Sequence, residues 1–266
     1  MAERAAIAFL CMSLCASAIY VVNDLSDAGT DRMHRSKFKR PFASGTLPHF
    51  AGLLIAPLAF ASGILLSLLL PRPATVVLLM YAALALAYTF WLRQKLLADV
   101  IALSLLYAMR IVEGGTAMCV LVSPWLLAFS LFLLLSFAFS KRVTEMLQST
   151  SSIRSLPGRG YLVSDTPIIA SLGTASGCLA CLVLSFYING DAAYKLYPHP
   201  EWLWFLVPLL LYWIGRFWVL TMRGEMRDDP ILFVLKDSVT RISLACGAII
   251  VTLAMTTPSG IPGIIE

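Results

Sequence analysis

The chain has 266 residues, 59% of them hydrophobic and 13% charged, with a mean hydropathy of +0.82 and a net charge of +5. So much apolar surface cannot be hidden inside a soluble globular domain, and the composition points to a polytopic membrane protein. Runs of about 20 mostly apolar residues predict eight membrane-spanning helices, near 5–22, 50–70, 74–92, 99–120, 124–140, 166–188, 201–221 and 240–258, with no soluble domain left over.

The first run leads straight into charged residues without a small-residue cleavage motif, so it is expected to stay as a helix rather than be removed as a signal peptide. The six cysteines, Cys11, Cys15, Cys119, Cys178, Cys181 and Cys246, fall in apolar runs, where a thiol behaves as a small hydrophobe. Cys178 and Cys181 spell C-x-x-C but lack the βαβ setting of a redox motif.

Fifteen of the twenty Lys and Arg residues fall in the segments after the first, third, fifth and seventh runs, which places those segments in the cytoplasm. Only Arg4, Arg72 and Lys195 fall on the other side, while Arg110 and Arg216 lie within spans. Ten of the fifteen acidic residues share the basic face, including Asp24, Asp27, Asp31, Asp99, Glu145, Asp165 and Asp237. A positive-inside signal needs no aspartates, so a polar site is expected there.

After the first run comes "VVNDLSDAGTDRMHRSKFKRPFASG", residues 21 to 45. If the helix continues past Val22, Asn23, Asp24, Asp27 and Asp31 point at roughly 0°, 100°, 40° and 80° and share one face. Three carboxylates and an amide oxygen converging there call for a cation, and hard oxygen ligands suit Mg²⁺ bridging to substrate phosphates. Alternatively, the segment is a solvated helix end whose aspartates pair with nearby arginines. The basic half, with Lys37 and Arg40, has the charge density of a phosphate-binding loop, with Pro41 stopping any helix and Gly45 allowing a tight turn. An anchor to anionic headgroups would have the same charge.

Tyr20, Asn23, Asp24, Asp27, Asp31, His34, Lys37, Arg40, Pro41, Ala43, Ser44 and Gly45 resemble the first signature of the UbiA superfamily of intramembrane prenyltransferases, N-D-x-x-D-x-x-x-D followed by a basic loop and R-P-x-A-S-G. The resemblance implies an all-α bundle forming a single domain over residues 1–266, a cytoplasmic-side cavity, Mg²⁺ as cofactor, a diphosphate donor, and a lateral opening for isoprenoid chains. Lys95, Asp99, Tyr107, Arg110 and Gly114 are similar to the superfamily's middle helices, and Asp99 and Arg110 fall within about 20° of one another on a helix, so they can line one cavity. Arg110 and Glu113 lie within a span, where an ionisable residue is a functional candidate by default; they could instead neutralise each other as an i,i+3 pair.

The second acidic motif departs from the superfamily pattern. In place of D-x-x-x-D stands "FSKRVTEMLQS", with Lys141, Arg142 and Glu145. Lys141 and Glu145 could simply form an i,i+4 surface pair. The K-R-x-x-E spacing resembles the decaprenyl-phosphate phosphoribosyltransferase branch, in which the donor is phosphoribosyl diphosphate and the acceptor a polyprenyl phosphate. Two further segments on the basic face, with Arg159, Tyr161 and Asp165, and with Arg223, Asp228, Asp229, Lys236 and Asp237, are either site residues or ordinary loop charge.

The implied chemistry is Mg²⁺-assisted departure of diphosphate. Asn23, Asp24, Asp27 and Asp31 are the expected metal ligands, and Asp27, Asp31, Arg40 and Lys141 the expected catalytic set. Lys37, Arg40, Asp99, Arg110, Lys141, Arg142, Glu145, Arg159 and Tyr161 are the expected substrate-binding residues. No Ser or Cys nucleophile with a base is evident, which argues against covalent catalysis. Prenyl transfer from a polyprenyl diphosphate to an aromatic acceptor such as 4-hydroxybenzoate or a quinone precursor is the alternative, and a membrane transporter or scaffold a remote one. The expected partners are the lipid bilayer, an isoprenoid phosphate or diphosphate and a small diphosphate donor, with no nucleic acid and with homo-oligomer formation left open. The expected location is a bacterial-type inner membrane, with the site on the cytoplasmic face. In the superfamily the first signature ends the second helix; here it ends the first. The chain is therefore expected to begin one helix late and to lack a neighbouring Arg-Pro-x-x-Trp-x-Lys-Asn segment.

Overall fold

The computed structural model describes residues 1–32, 37–148, 155–156, 158–226 and 230–256. In chain order its helices are α1 (Ala2–Asp31), α2 (Pro41–Ser44), α3 (His49–Ser67), α4 (Arg72–Phe90), α5 (Ala98–Ala117), α6 (Pro124–Leu147), α7 (Thr166–Ile188), α8 (Asp191–Leu196), α9 (Leu206–Met222), α10 (Pro230–Lys236) and α11 (Ser238–Thr256). The all-α expectation holds, the described residues forming no more β structure than an isolated bridge between Ser155 and Leu162. Among the described residues eight helical segments are long and apolar enough to cross a membrane, matching the eight expected runs, and the chain is an integral membrane protein. Two helices run well beyond their apolar runs. α1 extends through Asp31 and α6 through Leu147, because charged residues can prolong a helix at the membrane surface where water hydrates them.

The chain groups into two compact units. The first comprises Met1–Arg93 and Leu105–Val122, the second Gln94–Ser104 and Ser123–Glu266.

In the first unit α1 packs against α3 at very short range. A Cβ added to Gly63 would lie 2.8 Å from the Cys15 sulfur and 3.1 Å from the Cys11 carbonyl oxygen, so only a glycine admits this approach. The core around this contact is small and apolar, with Cys11, Cys15, Leu78, Ala82 and Leu106. Cys11 and Cys15 thus serve as small packing residues, as their apolar setting suggested.

In the second unit α6, α7 and α9 are joined by a polar relay inside an aromatic core. Trp218 donates its indole N–H to Ser136 Oγ at 2.9 Å, and Ser136 donates to the Gly173 carbonyl at 2.8 Å. The Trp218 ring fills the space over Gly173, where an added Cβ would lie 2.2 Å from the ring.

The membrane-embedded Arg216, which had no evident partner in the sequence, is held by Asp237 through two hydrogen bonds of 2.8 and 3.0 Å. Asp237 also caps α11, accepting the Thr240 N–H and hydroxyl, both at 2.8 Å. Burial alone would raise the Asp237 pKa, but the Arg216 and Thr240 hydrogen bonds outweigh it and hold the carboxyl below its usual range. This residue therefore belongs to the scaffold rather than to loose loop charge.

Two expectations follow for stability. Gly173→Ala forces Trp218 and Phe139 apart and is expected to cost about 1–3 kcal/mol, measurable as a lower midpoint of thermal unfolding in detergent. Asp237, with its depressed pKa, stabilises the fold fully above the unfolded-state pKa and loses that contribution as pH falls through the folded-state value. Wild type is accordingly expected to lose more stability between neutral and strongly acidic pH than Asp237→Asn, whose neutral amide has no proton to gain.

Candidate active site

The first unit brings the acidic signature together on α1. All four expected metal ligands lie on one continuous helix, and each is met by an arginine. Arg40, at the N-cap of α2, places Nη1 2.9 Å from Asp24 Oδ1 and 2.8 Å from Asp31 Oδ2. Arg93, just after α4, donates Nη1 to Asn23 Oδ1 at 2.9 Å and to Asp27 Oδ2 at 2.7 Å, and Nη2 to Asp27 Oδ1 at 2.5 Å. The hydrogen bond that Arg93 donates to Asp27 raises the Arg93 pKa above its ordinary value despite opposing desolvation, so Arg93 stays charged. The pairing of aspartates with arginines, one of the two alternatives the sequence allowed, is therefore the geometry of this helix end.

Arg93 was legible only as loop charge. It lies 66 residues from Asp27 in sequence, and no local spacing links them.

The basic loop differs from expectation at Pro41, which opens α2 rather than stopping a helix. A proline suits the first helical position because its missing N–H has no partner there anyway. Gly45 ends α2 at φ +79°, the left-handed turn expected of it. Lys37 falls in a short 3₁₀ turn, Lys37–Lys39. His34, Arg35, Arg154, Arg227, Asp228 and Asp229 lie outside the described residues.

Arg110 also belongs to the first unit. Its Nη2 donates to the Tyr81 hydroxyl at 3.1 Å, and its guanidinium carbon stands 5.7 and 5.3 Å from the Tyr81 and Tyr107 ring centroids.

The second unit gathers Asp99, Arg142, Glu145, Arg159 and Tyr161. Asp99, Arg142 and Tyr161 are at most 1% exposed. Arg142 Nε lies 2.7 Å from Asp99 Oδ2, and Arg142 Nη1 donates to Glu145 Oε2. Tyr161 donates its hydroxyl to Asp99 Oδ1 and accepts the Leu97 N–H at 3.2 Å. Burial, then the bond to Asp99, raise the Tyr161 pKa, so the phenol remains a donor. Arg159 stands 4.0 Å from both Asp99 and Glu145. Lys141 is half-buried one helical turn before Glu145 and acts on it electrostatically.

Backbone geometry holds this cluster together. Leu97 has φ +63°, rare for a branched residue. A Cβ on Gly160 would lie 2.7 Å from the Gln94 carbonyl oxygen, so the loop carrying Arg159 and Tyr161 lies directly on the 94–96 backbone. Asp165, by contrast, accepts the Leu162 N–H at 2.9 Å and serves its own turn. Arg223 pairs with Glu225 at 3.8 Å as exposed loop charge.

With these contacts in view, comparison with known proteins is decisive for the family. The profile of the UbiA prenyltransferase family matches residues 2–236.

The chain belongs to the UbiA prenyltransferase family.

Among its relatives, the protein y4nM of Sinorhizobium fredii is 36% identical over 232 residues, covering 86% of this chain and 45% of that protein. The decaprenyl-phosphate phosphoribosyltransferase of Mycolicibacterium smegmatis is 32% identical over 246 residues, covering 91% of this chain and 77% of the relative. The chain thus spans less than half the length of the first and about three quarters of the second. A UbiA homolog from Archaeoglobus fulgidus, solved bound to DMAPP and Mg²⁺, shares the fold with a TM-score of 0.69 at 12% identity, over 95% of this chain and 89% of that one.

Magnesium is the cofactor this family implies, and the donor set can be tested against it. Among the described residues no three Asp, Glu, His or Cys side chains converge into a cage. The oxygens instead come in two pairs, Asn23 with Asp27 sharing Arg93 Nη1 and Asp24 with Asp31 sharing Arg40 Nη1, and Asp27 also accepts from Arg93 Nη2. Mg²⁺ is commonly held by one or two carboxylates plus substrate phosphates. The residues therefore fit an ion shared with a diphosphate, and do not fit one held by protein alone.

Since Arg93 occupies the oxygens that such an ion would use, Arg93→Ala is expected to raise the affinity for Mn²⁺, a magnetic substitute for Mg²⁺, about fivefold. Asp27→Ala should lower it. Titration of free Mn²⁺ by electron paramagnetic resonance reads both directions.

Proposed function

We propose that the protein transfers the phosphoribosyl group of phosphoribosyl diphosphate to a polyprenyl phosphate in a bacterial-type inner membrane, with its charged helix ends on the cytoplasmic side. The observation that carries this proposal is the second unit's cluster, where Arg142, Lys141 and Arg159 surround two carboxylates in place of an aspartate pair. A cation-rich cluster suits a donor that bears a 5-phosphate besides its diphosphate. The 32% identity to a decaprenyl-phosphate phosphoribosyltransferase over 91% of the chain supports the same assignment.

In this proposal Asn23, Asp24, Asp27 and Asp31 would hold Mg²⁺ together with the donor's phosphates, and the ion would supply positive charge against the departing diphosphate. Arg40 and Arg93, now on carboxylates, turn to phosphate oxygens when the donor arrives. Within the second unit, Lys141 and Arg159 are the cations offered to anionic oxygens. Arg142 is too deeply buried between Asp99 and Glu145 to be a mobile ligand, and acts by positioning Glu145 and Arg159. The bond between the ribose anomeric carbon and the diphosphate oxygen breaks, and an oxygen of the acceptor phosphate forms the new bond. A phosphate monoester has its second pKa near 6, so the attacking oxygen is already ionised and no general base is required. That agrees with the lack of an evident nucleophile and base pair in the sequence.

The experiment incubates the membrane protein with ribose-labelled phosphoribosyl diphosphate, Mg²⁺ and a polyprenyl phosphate. Label is expected to pass into the organic phase, to stay in water with EDTA, and to pass at least about a hundredfold more slowly with Asp27→Ala. Label retained in water, together with prenylation of 4-hydroxybenzoate from a polyprenyl diphosphate, would establish the alternative reaction instead.

A further inference from the structure

The first unit has a half-open cavity of about 490 Å³, walled by α1 from Ala5 to Tyr20 and by the end of α5 from Arg110 to Met118. It lies within two membrane-spanning segments. Glu113 faces this cavity, is 3% exposed, and has no hydrogen-bond partner at Oε1. Arg110, three residues earlier on α5, also lines it and has an unsatisfied Nε. Among the described residues no ion pair joins the two, so the self-neutralising arrangement that their i,i+3 spacing allowed is not formed. An acceptor on Glu113 and a donor on Arg110 are left unsatisfied on residues three apart on one helix, in a region where no bulk water compensates them.

Their chemistry narrows the occupant. A cation satisfied by Glu113 would be repelled by Arg110, and an anion satisfied by Arg110 would be repelled by Glu113. A plain hydrocarbon would leave both groups unsatisfied. A hydroxyl both donates and accepts, so one uncharged group can serve both side chains whichever way the Glu113 carboxyl is protonated. Ser13 and Ser17 add hydroxyls nearby, while Phe9, Met12 and the alanines of α1 offer apolar wall for a chain.

We propose that this cavity binds a lipid alcohol, with the hydroxyl between Glu113 and Arg110 and the hydrocarbon along α1. The same chemistry could come from an isoprenoid alcohol or from a glyceride. Binding needs neither donor nor metal, so its test stands apart from the transferase assignment.

The test is saturable binding of tritiated farnesol to the full chain in lipid nanodiscs, with three unlabelled competitors: farnesol, mono-oleoylglycerol and farnesene, the last a similar chain without a hydroxyl. Farnesene is expected to compete about tenfold more weakly than the better alcohol, the factor that one satisfied buried hydrogen bond supplies. Which alcohol competes better identifies the source. Glu113→Leu should bring farnesene and the alcohols to within about twofold of each other. Gly114→Leu should abolish saturable binding, because a Cβ at Gly114 meets no atom within 4 Å and the new side chain can enter the cavity without displacing its walls. Equal competition by farnesene in wild type, no saturable binding, or an alcohol preference that survives Glu113→Leu would overturn the proposal. If Glu113→Leu does not assemble, the wild-type competition and Gly114→Leu decide it alone.

Discussion

A charge on a membrane-spanning helix has to be matched, because neither lipid nor packed side chains replace the water it gives up. Asp99 and Arg142 are both fully buried and 2.7 Å apart. Removing one partner of such a pair typically costs about 3–5 kcal/mol, since the other is left charged and unsolvated. Much of the second unit's site depends on this contact. Arg142 can hold Glu145 because Asp99 offsets part of its charge, Tyr161 is drawn in to satisfy the other Asp99 oxygen, and Leu97 is held by Tyr161 in an unfavourable backbone region. The loop with Gly160 then lies against the 94–96 backbone, which sets Arg159 4.0 Å from both carboxylates.

The first unit solves the same problem with contacts of a different kind. Arg40 and Arg93 are 34% and 17% exposed at their side chains, and the carboxylates they meet range from 6% to 29%. Partial hydration lowers both the strength of such pairs and the cost of parting them. These arginines neutralise three carboxylates crowded on one helix face while staying in partial contact with water. The buried pair of the second unit has no such contact.

Much of this was legible along the chain. Twenty-residue apolar runs mark the spans because a helix must cover the full thickness of the hydrocarbon on its own. The acidic stripe on α1 was equally plain, since positions 23, 24, 27 and 31 share a face at helical periodicity whatever surrounds them. Local rules reached less far at the loops. Pro41 reads as a helix stop and in fact opens α2, because a proline excludes the helix before it and favours the one after it.

By itself the sequence determined the eight spans, the all-α class and the acid-rich end of α1, which follow from composition and short-range spacing, while its signature residues carried the resemblance to the family. Only the tertiary structure decided which charges meet. Arg93 finds Asp27, Tyr161 finds Asp99, Arg216 finds Asp237 across 66, 62 and 21 residues, and Glu113 finds no partner at Oε1 although Arg110 stands three residues away. Helical periodicity sets the direction of a side chain from its own helix axis, whereas its partner depends on how separate helices pack, and that information is distributed over the whole chain.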